Sequence, residues 1–466
     1  MNTEIGAKLM ESWAAEEGVT SSTAEILDWV AAKNREVFVR IEPCTLSECA
    51  PWAMDEHGAI RNENGGFFSI CALKTEEEGK SDQTQPIIVQ DEIGYLGMIV
   101  REIEGVYHFL IQAKIEPGNL NKIQLSPTIQ ATKSNFTQMH KGKKPLYLDY
   151  FLNAGRHTIL SDQIQSEQSS RFYKKRNRNM LILVDEDVPV SNAHRWVTLG
   201  QIKTLLHHDN LVNMDTRTVL SALPFTRFLS DEADKKRLER CFRTPTVMRS
   251  ILGDVETQGL HHAWHLLNNA KMFDSKKRSL MGLDQLEGWN ITDRSISPAA
   301  GKEEDFEVIF CRIEIEGREV RTWTQPLFKA RGQALFGLLM ADIGGKRKFL
   351  CRLTPEVGCF DLAELGPTVQ LEASRLKKPA ENPVDAFFRI RAQQRADLLC
   401  DVLLSEEGGR FYHEQNRNVL LLTDELDIEP LPEGYLWLDF AQLSRLMESF
   451  NALNIQLRNL LSLLGR

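Results

Sequence analysis

Arg171-Phe172-Tyr173-Lys174-Lys175-Arg176-Asn177-Arg178-Asn179 and Arg410-Phe411-Tyr412-His413-Glu414-Gln415-Asn416-Arg417-Asn418 are two versions of one stretch, set 239 residues apart in a chain of 466. Each follows a Ser-Glu pair, Ser166-Glu167 or Ser405-Glu406, and runs into an apolar segment, Met180 to Val184 or Val419 to Leu422. A polar loop that switches into such a run reads as a turn or helix end feeding a buried strand. The shared arginines, asparagines and tyrosine fit either an anion site used twice or a structural turn used twice.

Working outward, the same spacing returns. Pro127-Thr128-Ile129-Gln130 reappears as Pro367-Thr368-Val369-Gln370, Gln85-Pro86 as Gln325-Pro326, and Asn213 to Leu220 as Asn454 to Leu461, with Arg458 opposite Arg217. Trp289 stands as a candidate repeat of Trp52. Glu104-Gly105, Glu316-Gly317 and Gly344-Gly345 mark hairpin turns between strand-like runs. Residues 145–164 read as mixed and largely helical. Thr198-x-x-Gln201 and Asp439-x-x-Gln442 open helices as capping boxes. A nearly constant offset over most of each half is an internal duplication. The expected fold is α+β, with two separate but related domains. Residues 1–36 form a helical N-terminal extension, 37–229 the first domain, 230–280 a helical linker that begins with a charge run, and 281–466 the second domain.

Bulk properties exclude several classes. A net charge of −9 argues against general nucleic-acid binding. No apolar run approaches the roughly 20 residues of a membrane helix, and Met1 to Ala15 lacks the pattern of a secretion signal. Eight scattered cysteines without a Cys-x-x-Cys pair read as reduced thiols of a cytoplasmic protein. His261 and His265 have metal-ligand spacing, but no Glu follows His261 as a metalloprotease helix requires, so His261, His262 and His265 read as surface or interface histidines. No metal site and no cofactor are expected.

The chain has no phosphate loop, dinucleotide fingerprint or nucleophile elbow. Any chemistry must then use polar side chains set in the β pattern. In the first half these are Gln85, Gln112, Lys114, Glu116, Asn119, Gln130, Thr132, Lys133, Ser134, Asn135 and the 171–179 loop. In the second they are Gln325, Arg352, Thr354, Glu356, Cys359, Gln370, Glu372, Ala373, Ser374, Arg375 and the 410–418 loop. Positions kept in both halves, such as Glu116/Glu356 and Gln130/Gln370, should serve the fold or a shared ligand. Positions that differ, such as Lys114/Thr354 and Lys133/Ala373, should carry what one half alone does. The second half looks eroded there. Arginine forks suit phosphate and neighbouring rings suit a base. A Lys beside a Glu suits enolate chemistry, with a base and an oxyanion stabiliser.

Several long strings resemble the NDP-hexose 2,3-dehydratases: Gly94-Tyr95-Leu96-Gly97, Gln112 to Asn119, Leu125 to Asn135, Ser166 to Phe172, Asn210 to Arg217, and Gly317 to Pro326. The resemblance covers roughly residues 40–225 and 283–461. It implies tandem Nudix-like domains, a homodimer, and a nucleotide-diphosphate sugar as substrate, usually dTDP-4-keto-6-deoxyglucose, with the product passed to a 3-ketoreductase. Two departures stand out. The metal-binding helix of Nudix hydrolases is missing, which argues against pyrophosphate hydrolysis. Asp82 to Pro86 also lacks the tryptophan that the second half has at Trp323. The family name does not fix the roles; read from the residues, Glu116 is the expected base, Lys114 the enolate stabiliser and Tyr173 the proton donor to the leaving hydroxyl. Arg171, Arg176 and Arg178 hold the diphosphate, with Asn177 beside them. A second cleft with Trp323, Thr324, Gln325, Arg352, Glu356, Gln370, Ser374, Arg410, Tyr412, Asn416 and Arg417 is expected to bind nucleotide sugar too. A non-catalytic nucleotide-sugar binder and a nucleotide-sugar epimerase are the competing readings.

Overall fold

Two of the three predicted hairpin turns close where their glycines stand; Gly317, at the third, lies outside the described residues. In a computed structural model, which describes residues 3–132, 144–225, 238, 241–316, 320–395, 397–424, 426 and 428–466, Glu104 and Gly105 take φ of 49° and 85° between strands Gly94–Ile103 and Val106–Ile115. Gly344 and Gly345, at 60° and 77°, join Leu335–Ile343 to Lys346–Thr354. Positive φ is cheap for glycine, which sets these turns locally.

Each hairpin sits inside a seven-stranded mixed sheet. In the first sheet Thr158–Ser166 lies at one edge against Arg176–Val184, which runs parallel to Gly94–Ile103; Val106–Ile115 and His194–Thr198 follow. The second sheet repeats this order with Leu398–Ser405, Gln415–Leu422, Leu335–Ile343, Lys346–Thr354 and Tyr435–Asp439. The stretch after each arginine loop is therefore a buried central strand, as its apolar run requires. Residues 145–164 are helical at Leu148–Leu152 and, as one 3-10 turn, at Ala154–Arg156, and their end joins the edge strand. Pairing with Arg176–Val184 satisfies that backbone, a tertiary preference no local signal carries.

The halves are related but not separate. Strand Val39–Cys44 of the first half pairs with Phe306–Ile315 of the second, and Lys277–Met281 pairs with Ser69–Glu76 of the first. The tryptophans make the same exchange: Trp52 Nε1 donates to the Thr324 carbonyl at 2.8 Å and Trp289 Nε1 to the Thr84 carbonyl at 3.0 Å. Helices Met214–Ser221 and Ile455–Ser462 pack together with every residue of both buried. Arg217 reaches the Ser405 carbonyl, and Arg458 the Ser166 carbonyl, in the opposite half. One apolar cluster contains Leu96, Val219 and Leu220 from the first half and Phe336, Leu457 and Leu460 from the second.

The expected extension and linker are one element used twice. Helices Thr3–Ala14 and Thr23–Glu36 have counterparts in Pro245–Leu252 and Thr257–Met272. Ser12 Oγ donates to the Tyr107 carbonyl and accepts from the Leu199 amide; Ser250 Oγ does the same with Arg347 and Phe440. Each serine satisfies an orphan amide of a helix opened by one of the two capping boxes. The charge run at 231–237 lies outside the described residues. All eight cysteines are free thiols. No helix among the described residues is long and apolar enough to cross a membrane.

Candidate active site

The arginine loops cross between halves. The Gly118 amide donates to the Gly408 carbonyl at 2.6 Å and the His413 amide to the Gly118 carbonyl at 2.8 Å. Reciprocally, Gly358 donates to the Ser169 carbonyl at 2.8 Å and accepts from Lys174 at 2.7 Å. Both glycines are required by this approach. A Cβ at Gly118 would sit 1.6 Å from the Phe411 carbonyl oxygen, and one at Gly358 2.0 Å from that of Phe172. Each cleft is thus composite, with the large sheet of one half facing the arginine loop of the other.

This crossing regroups the expected site residues. Gln85, which donates to the Ser170 carbonyl, together with Arg171 and Tyr173, sides with the second half's turn at Gly358. Gln325, which donates to the Gly409 carbonyl, together with Arg410 and Tyr412, sides with the first half's turn at Gly118. Trp323 packs against the same buried cluster as Ile115 of the first half and donates to Gln325 Oε1 at 2.8 Å.

In the first cleft Lys114 Nζ lies 2.9 Å from Glu116 Oε1, with side-chain exposures of 16% and 5%. Gln130 Nε2 donates to the same oxygen at 3.0 Å and is braced by Asn213. Beside Gln130 the cavity is lined by Thr132, Tyr95, Glu167, Lys175, Asn177 and Asp215, and by Glu407 and Arg410 from the second half. Burial pushes the Lys175 ammonium down to about 8 and the Glu407 carboxyl up to about 7. Burial, reinforced by Glu167, Glu407 and Glu116, raises Asp215 well above the usual carboxylate range. Arg410 stacks 4.4 Å over Phe68 and donates to Gln90 Oε1 at 3.2 Å; its Nε is buried without a partner. Cation and carboxyl chemistry therefore meet in one partly dry place.

The second cleft keeps the scaffold but has no lysine at the positions of Lys114 and Lys175. Gln370 holds Glu356 at 3.0 Å and is braced by Asn454, as in the first half. Thr354 replaces Lys114, Glu414 replaces Lys175, and Glu372 replaces Thr132. Arg171 stacks 4.2 Å over Phe306, and its Nη2 lies 3.4 Å from Glu372 Oε1. Burial raises Glu356 to about 7 and Glu414 to about 8. An acidic wall thus closes on the one arginine.

The remaining loop residues are largely structural. Asn177 accepts from the Gly94 amide and donates to Glu167, as Asn416 does with Ala334 and Glu406. Arg178 is held by Asp162 and Tyr95, and Arg417 by Asp401. Arg176 stacks 3.5 Å over Phe360. Gln112 accepts from Ser126, and Asn119 Nδ2 bonds the Lys122 carbonyl. In the second half Thr324 bonds the Cys49 and Ala50 carbonyls, Arg352 pairs with Glu381, and Ser374 bonds Asp305. Lys133, Ser134 and Asn135 lie outside the described residues. His261, His262 and His265 are exposed on helix Thr257–Met272, and His265 bonds Asn269. Sequence reasoning missed Asp215 and Glu407, and took Lys175 only as part of the 171–179 loop. All three differ between halves, opposite Gln456, Gln168 and Glu414, and that asymmetry was the available signal.

Fold and site together define a duplicated α+β protein whose halves share each cleft and whose Lys114–Glu116 pair is matched in the second half by Thr354 and Glu356. The chain belongs to the NDP-hexose 2,3-dehydratase family, whose model matches residues 23–223 and 261–464. It is 38% identical over 447 residues to a dTDP-4-dehydro-6-deoxy-alpha-D-glucopyranose 2,3-dehydratase of Saccharopolyspora spinosa, covering 94% of this chain and 90% of that protein. Proteins of the same description from Streptomyces violaceoruber and Amycolatopsis orientalis are 36% and 32% identical, over 95% and 97% of this chain and 97% and 92% of theirs.

Proposed function

We propose that this protein is a cofactor-independent hydro-lyase that removes the 2-hydroxyl, as water, from a dTDP-linked 4-keto-6-deoxyhexose. The buried Lys114–Glu116 pair in the first composite cleft carries this reading, because the second half has Thr354 where the lysine stands. The substrate's ketone acidifies the proton on carbon 3. Glu116 takes that proton, and Lys114 faces the enolate oxygen. The enolate then expels the 2-hydroxyl, and the resulting enol becomes the 3,4-diketone. A positioned base contributes about 10²–10⁴-fold, and one oxyanion donor roughly 3–4 kcal/mol. Arg410 takes the diphosphate and Trp323 the base. The full-length likeness to dehydratases supports dehydration over the binder and epimerase readings.

We further read the repeat as Nudix-like, the working unit as a homodimer, the location as the cytoplasm, and a 3-ketoreductase as the next enzyme. Incubation with dTDP-4-keto-6-deoxyglucose tests the activity by product mass. Loss of one water is expected. A new sugar of unchanged mass would make the protein an epimerase, and no reaction would leave it a binder.

A further inference from the structure

The proposed reaction needs a second proton carrier. Hydroxide is a poor leaving group, so a proton must reach the 2-hydroxyl oxygen as its bond to carbon 2 breaks. Tyr173, the residue expected from the sequence to supply it, is held by the Lys174–Gly358 bond at the other half's turn. Glu116 has taken the carbon-3 proton in that scheme.

We infer that Asp215 is the general acid that protonates the departing 2-hydroxyl. Asp215 lines the first cleft beside Gln130 and Thr132. It lies one residue inside helix Met214–Ser221, whose cap Asn213 braces the Gln130–Glu116 contact. That short chain fixes the acid relative to the base. The residue is 1% exposed, and its Oδ2 is buried without a partner among the described residues. A buried carboxyl oxygen left unbonded is costly unless a ligand or water meets it. Burial first, and then the charges of Glu167, Glu407 and Glu116, favour its protonated form, with Lys114 opposing them. The corresponding residue in the second half is Gln456, an amide that cannot serve as an acid. Asp215 thus joins Lys114 among the groups that only the first cleft keeps.

The step balances without a cofactor. As the enolate oxygen re-forms the carbon-4 carbonyl, the carbon 3–carbon 4 pair becomes the carbon 2–carbon 3 double bond. The carbon 2–oxygen bond breaks toward oxygen, which takes the Asp215 proton and leaves as water. The enol then gains a proton at carbon 2 and loses the one on its carbon-3 hydroxyl. Asp215 regains its proton from solvent.

This inference rests on the dehydratase reading, and the experiment keeps the two apart. Wild type and Asp215→Asn are incubated in deuterium oxide with dTDP-4-keto-6-deoxyglucose and, separately, with its 2-deoxy-2-fluoro analogue, whose fluoride leaves without needing a proton. Folding is checked by thermal melting. The expected result is that Asp215→Asn still exchanges the carbon-3 proton, loses water from the natural substrate at least about 100-fold more slowly, and eliminates fluoride within a few-fold of wild type. Should the asparagine variant not fold, Asp215→Gln, which places there the amide found at Gln456, is expected to show the same split between hydroxyl and fluoride. Equal slowing of both substrates in a folded variant, or dehydration at the wild-type rate, overturns the assignment. A wild-type protein that releases no water from the natural substrate overturns the dehydratase reading instead.

Discussion

Arg410→Ala should disable the first cleft even though Arg410 belongs to the second half of the chain. Its guanidinium is aimed by stacking 4.4 Å over Phe68 and by a 3.2 Å bond to Gln90, which leaves Nε buried and unbonded. A phosphate oxygen meeting that edge makes a charge-assisted hydrogen bond, worth about 1.5–3 kcal/mol. At 1.4 kcal/mol per decade this is about 10- to 150-fold in the Kd for dTDP. Arg171→Ala, the matching change in the other loop, should leave that affinity within about twofold, because Arg171 already pairs with Glu372 in the second cleft. Titration calorimetry of full-length variants at one fixed salt concentration measures both. If Arg171→Ala weakened dTDP and Arg410→Ala did not, the crossing of loops between clefts would be wrong as an account of binding.

Three further outcomes follow from the same contacts. Glu372→Thr restores the residue found at Thr132 and uncovers Arg171, so calorimetry should show dTDP binding the second cleft at least about tenfold more tightly; unchanged affinity there would mean Glu372 does not close the second cleft. Ser12→Ala and Ser250→Ala each strand a buried helix amide, so each should cost about 1–3 kcal/mol. Melting that shows one serine dispensable would break the equivalence of the extension and the linker. Burial lowers His194 to about 4 from an ordinary value near 6.5. The folded state therefore binds fewer protons than the unfolded state between those values, and its contribution, full above about 6.5, is lost as pH falls toward 4. His194→Gln should shrink the drop in Tm between pH 7 and pH 5; a drop as large as wild type's would place the titrating group elsewhere.

The duplication, the hairpins and both capping boxes were legible because each is local. A turn needing positive φ selects glycine at one position, and a helix start selects its cap and the residue three later. The special character of the first half was legible as well, since Lys114 and Thr354 are compared along the chain without knowing where either points. Arg410, expected in the second cleft, lines the first for one physical reason. Sequence offset relates equivalent residues but does not say which copy a loop faces. That was decided by exchange of strands Val39–Cys44 and Lys277–Met281 and by the glycine contacts at 118 and 358. Asp215 carried only its difference from Gln456 as a sequence signal, for a related reason. An aspartate in a helix's first turn is ordinary by sequence, and only the closing of the two halves removes it from water and leaves its oxygen facing the cleft. Local backbone and side-chain preferences are written residue by residue, so the chain alone determined the repeat and its elements. Desolvation and cross-half contacts depend on what the fold brings near, so tertiary structure alone decided which groups form the site.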